Sequence, residues 1–282
     1  MEEQTTLLEK AAEGKPAHLK IGIQKRWRTI VESLQPLGRN GYIWLITVGA
    51  VVAAQATLIW APKVGVYINA IALAGLTAVA ISRPAARKVA ISMGIIPVAN
   101  MITLSTTTHT LIGQTIIFYS ALLLLGIVYR LIFTLEYPLK YTKLSGKGYG
   151  LALPLMIIIG QIVGLIGYGF LRHQYPYTGY SIPLIALVVI AFAFTEEILL
   201  RGLIQQQGST VFHPLAAALA STILYVFLSL DHRPMLTIPV AIIMGGVLSL
   251  TYYKKQNLLL TTTINAAAKL TYIGLVSAFI LR

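Results

Sequence analysis

Apolar residues gather into nine runs along the chain, separated by short stretches that hold most of the Lys, Arg, Gly and Pro. The runs are Tyr42–Trp60, Val66–Ser82, Val89–Leu104, Leu111–Phe133, Tyr149–Leu171, Ser181–Leu200, His213–Leu230, Pro234–Tyr252 and Leu258–Leu281. A helix needs roughly 20 apolar residues to cross a hydrocarbon layer about 30 Å thick. Val66–Ser82 and Val89–Leu104 are short by that measure, and either span the bilayer or form one re-entrant pair. In lipid every backbone N–H and C=O must be satisfied internally. The runs are therefore predicted as α-helices, and the fold as an all-α polytopic transmembrane bundle of about nine spans.

The stretch before the first run differs. Met1–Pro16 is polar, and His18–Leu34 is amphipathic at helical spacing, with Leu19, Ile23, Trp27, Ile30 and Leu34 on one side. A basic helix of this kind lies on a membrane surface or stands solvated as an ordinary N-terminal helix. This start is charged and mixed, unlike a signal peptide. Residues 1–40 read as a cytoplasmic tail, 41–135 as N-terminal transmembrane helices and 149–282 as the core of the protein. The division falls at the Leu135–Gly148 loop, beyond which the polar membrane residues concentrate.

Charged residues make up 11% of the chain, against about 25% in soluble domains. The net charge of +13 is not a nucleic-acid stripe, because the basic residues sit at the ends of apolar runs. Placing the N-terminus in the cytoplasm leaves only Lys63, Arg172, Arg233 and Arg282 among the loop cations outside, in keeping with the positive-inside rule. The expected location is a multi-pass position, in the cell membrane. The expected partners are membrane lipid and a peptide or membrane protein, not nucleic acid. With no cysteine, disulfides, thiolate metal sites and a Cys nucleophile are excluded. No HExxH motif is present and no cofactor is implied, although a divalent metal stays open.

Beyond Asn40 the only acids are Glu136, Glu196, Glu197 and Asp231. Two of them are adjacent at the end of an apolar run, where each ionisable group costs about 2.5–3.5 kcal/mol to insert. Glu197 and Arg201 stand at i and i+4 and can pair on one helix face. Glu196 points about 100° away and is free for another task. The plain reading is an ion pair at a helix end near the membrane interface. The sharper one is a polar chamber shared with the last span.

The motif Glu196-Glu197-x-x-x-Arg201-Gly202 resembles the first motif, EExxxR, of the CPBP superfamily, the Abi or CAAX prenyl protease 2-like intramembrane proteases. Met244–Tyr253 resembles the Gly-rich helix that precedes the family's third motif, and Lys254-Lys255-Gln256-Asn257-Leu258 its polar turn. The second motif, FxxxH, departs: aligning Tyr225 with its Phe puts Ser229 at the His, and aligning Phe227 puts Asp231 there. His232 fits neither register. At the third motif, HxxxN or HxxxD, Asn265 stands at the His and Lys269 at the Asn.

The resemblance implies peptide-bond hydrolysis by water activated on Glu196, with Glu197, Arg201 and Asn265 in the catalytic set. Ser229, His232 and Lys269 would be auxiliary. Asn265 and Lys269 can donate to an oxyanion, yet neither replaces imidazole as a proton shuttle near neutral pH. Three readings follow. In one, His232 completes the site from one turn beyond Ser229. In another, Lys269 pairs with Glu196 and makes a structural ion pair. Or the site binds a membrane peptide or partner protein without cutting it. A proton-relaying transporter is a further class, disfavoured by the absence of an internal repeat.

Overall fold

The computed structural model describes residues 39–106, 111–133, 146–171, 181–229 and 237–280. Among the described residues the chain is all-helical, with no strand, and forms nine rods. These are α1 Arg39–Trp60, α2 Pro62–Ser82, α3 Arg87–Leu104, α4 Leu111–Phe133, α5 Gly146–Leu171, α6 Ile182–Val211, α7 Pro214–Ser229, α8 Thr237–Lys255 and α9 Leu258–Ile280. The amphipathic stretch at 18–34 and His232 lie outside the described residues.

Among the described residues six helices are long and apolar enough to cross a membrane, and these include both Pro62–Ser82 and Pro84–Leu104. The two short runs thus each belong to a helix of spanning length. Proline starts several rods: Pro62 and Pro214 each stand at a first helical position, where the missing N–H is no loss. Large apolar side chains face outward, Leu151, Ile81, Leu131 and Tyr67 among them. Asn69, Asn100, Gln205, Glu196, Glu197, Arg201 and Asn265 are turned inward. That inversion suits hydrocarbon surroundings.

α6 runs farther than its apolar stretch. It is α-helical over Ile182–Glu197, a π-helix over Ile198–Gln205 and α-helical again over Gln206–Val211. The sequence ends that apolar run at Leu200. The polar residues that follow are held helical by neighbours, with Gln205 Nε2 donating to the Ser249 carbonyl at 3.0 Å.

α5 and α9 touch backbone to backbone. A Cβ on Gly160 would lie 2.5 Å from the Ile264 carbonyl oxygen, and one on Gly164 would lie 2.5 Å from that of Ala268. Gly167, at similar spacing, faces Val240 of α8 instead. The first two glycines therefore set the depth and rotation of α9, small residues letting helices approach closely in lipid. Gly164→Ala is expected to cost about 1–3 kcal/mol, as overpacking does, measured as a fall in thermal stability in detergent. Gly169→Ala meets open space and should change little.

The N-terminal half has its own polar knot. Asn69 Nδ2 donates to the Gly65 carbonyl at 2.8 Å, and Asn100 Nδ2 donates to Asn69 Oδ1 at 3.1 Å. It joins α2 to α3 inside the bundle.

Candidate functional site

Glu196 and Glu197 close the α-helical part of α6, and Arg201 lies in the π-helical part that follows. A π-turn adds a residue to the helical circuit, and such turns are frequent at functional sites. Here every residue from Leu199 to Gln205 is buried, which a one-faced amphipathic helix would not achieve. Ser221 Oγ of α7 donates to the Leu200 carbonyl at 3.0 Å and ties this segment to its neighbour.

Arg201 is fully buried. Its Nη1 lies 3.5 Å from Glu197 Oε1, and its Nη2 donates to the Gly245 carbonyl at 3.2 Å and to Ser249 Oγ at 3.4 Å. The guanidinium sits 5.1 Å from the centre of the Tyr225 ring, within cation–π range. Gly245 is needed for this closeness: a Cβ there would lie 3.1 Å from the Tyr225 ring.

α9 meets the acids from the other side. Asn265 Nδ2 donates to Glu196 Oε2 at 2.9 Å and to Glu197 Oε1 at 3.0 Å. An amide nitrogen has two N–H donors, so one asparagine spans both carboxylates. One turn on, Lys269 Nζ lies 2.6 Å from Glu196 Oε1. Tyr119 of α4 donates its hydroxyl to the same oxygen at 2.5 Å. The Tyr119 ring stacks on Phe192 with centroids 4.2 Å apart.

The structure thus brings together Glu196, Glu197, Arg201, Asn265 and Lys269. The carboxylates stand in the middle of a rod rather than at its end. Nor is the surrounding chamber open. Glu196 is 3% exposed and Glu197, Arg201 and Asn265 are 0% exposed, while the Lys269 side chain keeps 27%. Glu196 is not free of the pair either, because Asn265 binds both acids.

Ser229 is half-buried at the end of α7. Its side chain hydrogen-bonds Tyr225, one turn earlier, whose hydroxyl donates to Asn265 Oδ1 at 3.5 Å, so Ser229 joins the site through Tyr225. Tyr225 entered the sequence reading only as the aromatic of the second motif, and Tyr119 did not enter it at all. The one hint of Tyr119 is a tyrosine deep inside an apolar run, away from the aromatic belt of an interface. Among the described residues no three His, Cys, Asp or Glu side chains gather as a metal site.

Residues 178–271 match the family model described as type II CAAX prenyl endopeptidase Rce1-like. That family model is one of the CPBP family. The match bears out the resemblance carried by Glu196-Glu197-x-x-x-Arg201. The Rce1-like segment takes in α6, α7, α8 and the part of α9 that holds Asn265 and Lys269. Tyr119 and the α5 glycines lie outside it. No curated protein and no solved structure matches the chain. With its apolar helices and CPBP-family match, the protein is an integral membrane protein.

Proposed function

We propose that this protein is an intramembrane endopeptidase that hydrolyses a peptide bond with water activated on Glu196. The observation that carries this reading is the hydrogen bonding around that carboxylate. An ionised carboxylate has about four acceptor positions. Lys269 and Tyr119 occupy two on Oε1, and Asn265 occupies one on Oε2. One position on Oε2 is left for a water.

The chemistry balances through these residues. Glu196 takes a proton from the water as the oxygen attacks the carbonyl carbon, and a tetrahedral oxyanion forms. Once protonated, Glu196 no longer neutralises Lys269, whose ammonium turns its charge to the oxyanion. Donors aimed at developing charge are often the largest single catalytic term. The proton then passes from Glu196 to the leaving nitrogen, the C–N bond breaks, and the new carboxylic acid gives its proton to the amine, so that a carboxylate and an ammonium depart. Glu197 and Arg201 hold Asn265 and the helix in place. Tyr119 is a positioning residue.

The substrate suggested by the Rce1-like family is a C-terminal peptide carrying a prenyl lipid. The working unit spans 149–282, since α5 sets the position of α9, with Tyr119 added from 41–135. Nine crossings of the cell membrane with a cytoplasmic N-terminus complete the reading.

A second reading is favoured by a different observation: Glu196 is nearly dry and has a counter-charge at 2.6 Å, as in a structural ion pair. In that case the protein holds a membrane peptide or partner protein without cutting it.

The test uses purified protein in lipid nanodiscs and prenylated peptides. Glu196→Gln should slow cleavage by about 10²- to 10⁴-fold, the usual worth of a general base, while the protein remains folded. Equal rates for the two proteins would remove Glu196 from the mechanism. No turnover by either, with a partner co-purifying equally with both, supports the second reading.

A further inference from the structure

A cavity of about 90 Å³ opens between the ends of α1, α3, α4 and α7. Gln55, Asn100, Thr103 and Gln114 supply its polar lining, and Phe118 and Phe227 its aromatic walls. None of the lining residues is charged. Its volume suits several waters, at about 10–15 Å³ each, or one side chain of moderate size.

Gln55 is 7% exposed, and its Nε2 has no hydrogen-bond partner among the described residues. A buried donor without an acceptor costs about 1–3 kcal/mol. What it lacks is an oxygen. A charged ligand would enter uncompensated, at high cost, so the group that fits is a neutral acceptor such as a carbonyl.

The position selects the molecule that brings it. The Phe118 ring meets the Tyr119 ring edge-on, with centroids 5.5 Å apart, and Tyr119 donates to Glu196. One wall of the cavity thus touches the ring that binds Glu196, and a peptide bound at Glu196 is taken to extend toward it. We propose that this cavity is a specificity pocket for an uncharged residue of a membrane peptide with a carbonyl in its side chain, Asn or Gln, and that Gln55 recognises it. The proposal rests on the peptide-cleaving reading of the acids.

The probes are two synthetic apolar peptides of roughly 20 residues, alike except for Asn or Leu at one position near the scissile bond. Each is labelled and titrated into nanodiscs containing the full chain. The Asn peptide should bind about tenfold tighter than the Leu peptide, a difference of about 1.4 kcal/mol. Gln55→Leu should erase that preference without lowering the melting temperature, because it removes an unpaired donor. Leu104→Trp, which fills the cavity from its lining, should weaken the Asn peptide to the level of the Leu peptide. Equal binding by the wild type, or a preference that survives Gln55→Leu, overturns the proposal, as does displacement of the Asn peptide by ester lipid alone. Selective binding without cleavage keeps the pocket and removes the hydrolytic reading. Cleavage that is blind to Asn and to Gln55 does the reverse.

Discussion

Arg201→Leu should cost about 3–5 kcal/mol of stability, the usual loss when one partner of a buried ion pair is removed. Arg201 and Glu197 are both fully buried, so no water reaches the acid left behind. The loss also takes the bonds to Gly245 and Ser249 and the contact with the Tyr225 ring. Three helices, α6, α7 and α8, lose their common anchor. Arg201→Lys should recover little, because an ammonium lacks the planar fork that serves Glu197, Gly245 and Ser249 together. The double variant Arg201→Leu with Glu197→Leu should recover most of the loss, since well-packed apolar pairs replace buried ion pairs at little cost. Thermal unfolding in detergent measures all three. A single Arg201→Leu variant that melts with the wild type would show that the pair anchors nothing.

Lys269→Met is the second large effect, and it falls on both stability and turnover. The methionine keeps the apolar stem and removes the charge 2.6 Å from Glu196. The stability loss should be about 3 kcal/mol, the low end for a buried pair, because the Lys269 side chain keeps 27% exposure. Tyr119 and Asn265 still bind the carboxylate, so Glu196 stays in place. Turnover should nevertheless fall about 10²- to 10³-fold, as when an oxyanion donor is lost. Lys269→Arg retains the charge and should restore stability before it restores rate, because the bulkier fork cannot turn from Glu196 to the oxyanion in the same space. If Lys269→Met lowers stability but leaves peptide binding unchanged in a protein that never cleaves, the pair is a structural lock.

Much of this architecture was legible in the sequence because long apolar runs carry their own structural instruction. Helix boundaries from Tyr42 to Leu281 agree with the rods to within a few residues, apart from α6. There the apolar run ends at Leu200, and the polar residues that follow are held helical by neighbours, α8 among them through Gln205 and Ser249. The π-helical stretch has no signature in composition, since it arises from a shift of hydrogen-bond partners. At the site, Glu197 with Arg201 and Asn265 with Lys269 were readable from four-residue spacing. Pairing of Lys269 with Glu196 stood among the alternatives. Tyr119 was not readable, because nothing local to α4 tells that its phenol meets an acid 77 positions on. The family match, too, ends at residues 178–271 and does not reach it.

The central claim is that water held by Glu196 adds to a peptide carbonyl. It is tested most directly by mass spectrometry of peptide products formed in water enriched in oxygen-18. The account predicts one heavy oxygen in the new C-terminal carboxylate with the wild-type protein, and no such product with Glu196→Gln. Intact peptide after prolonged incubation with folded wild-type protein, or labelled product undiminished by Glu196→Gln, would contradict it.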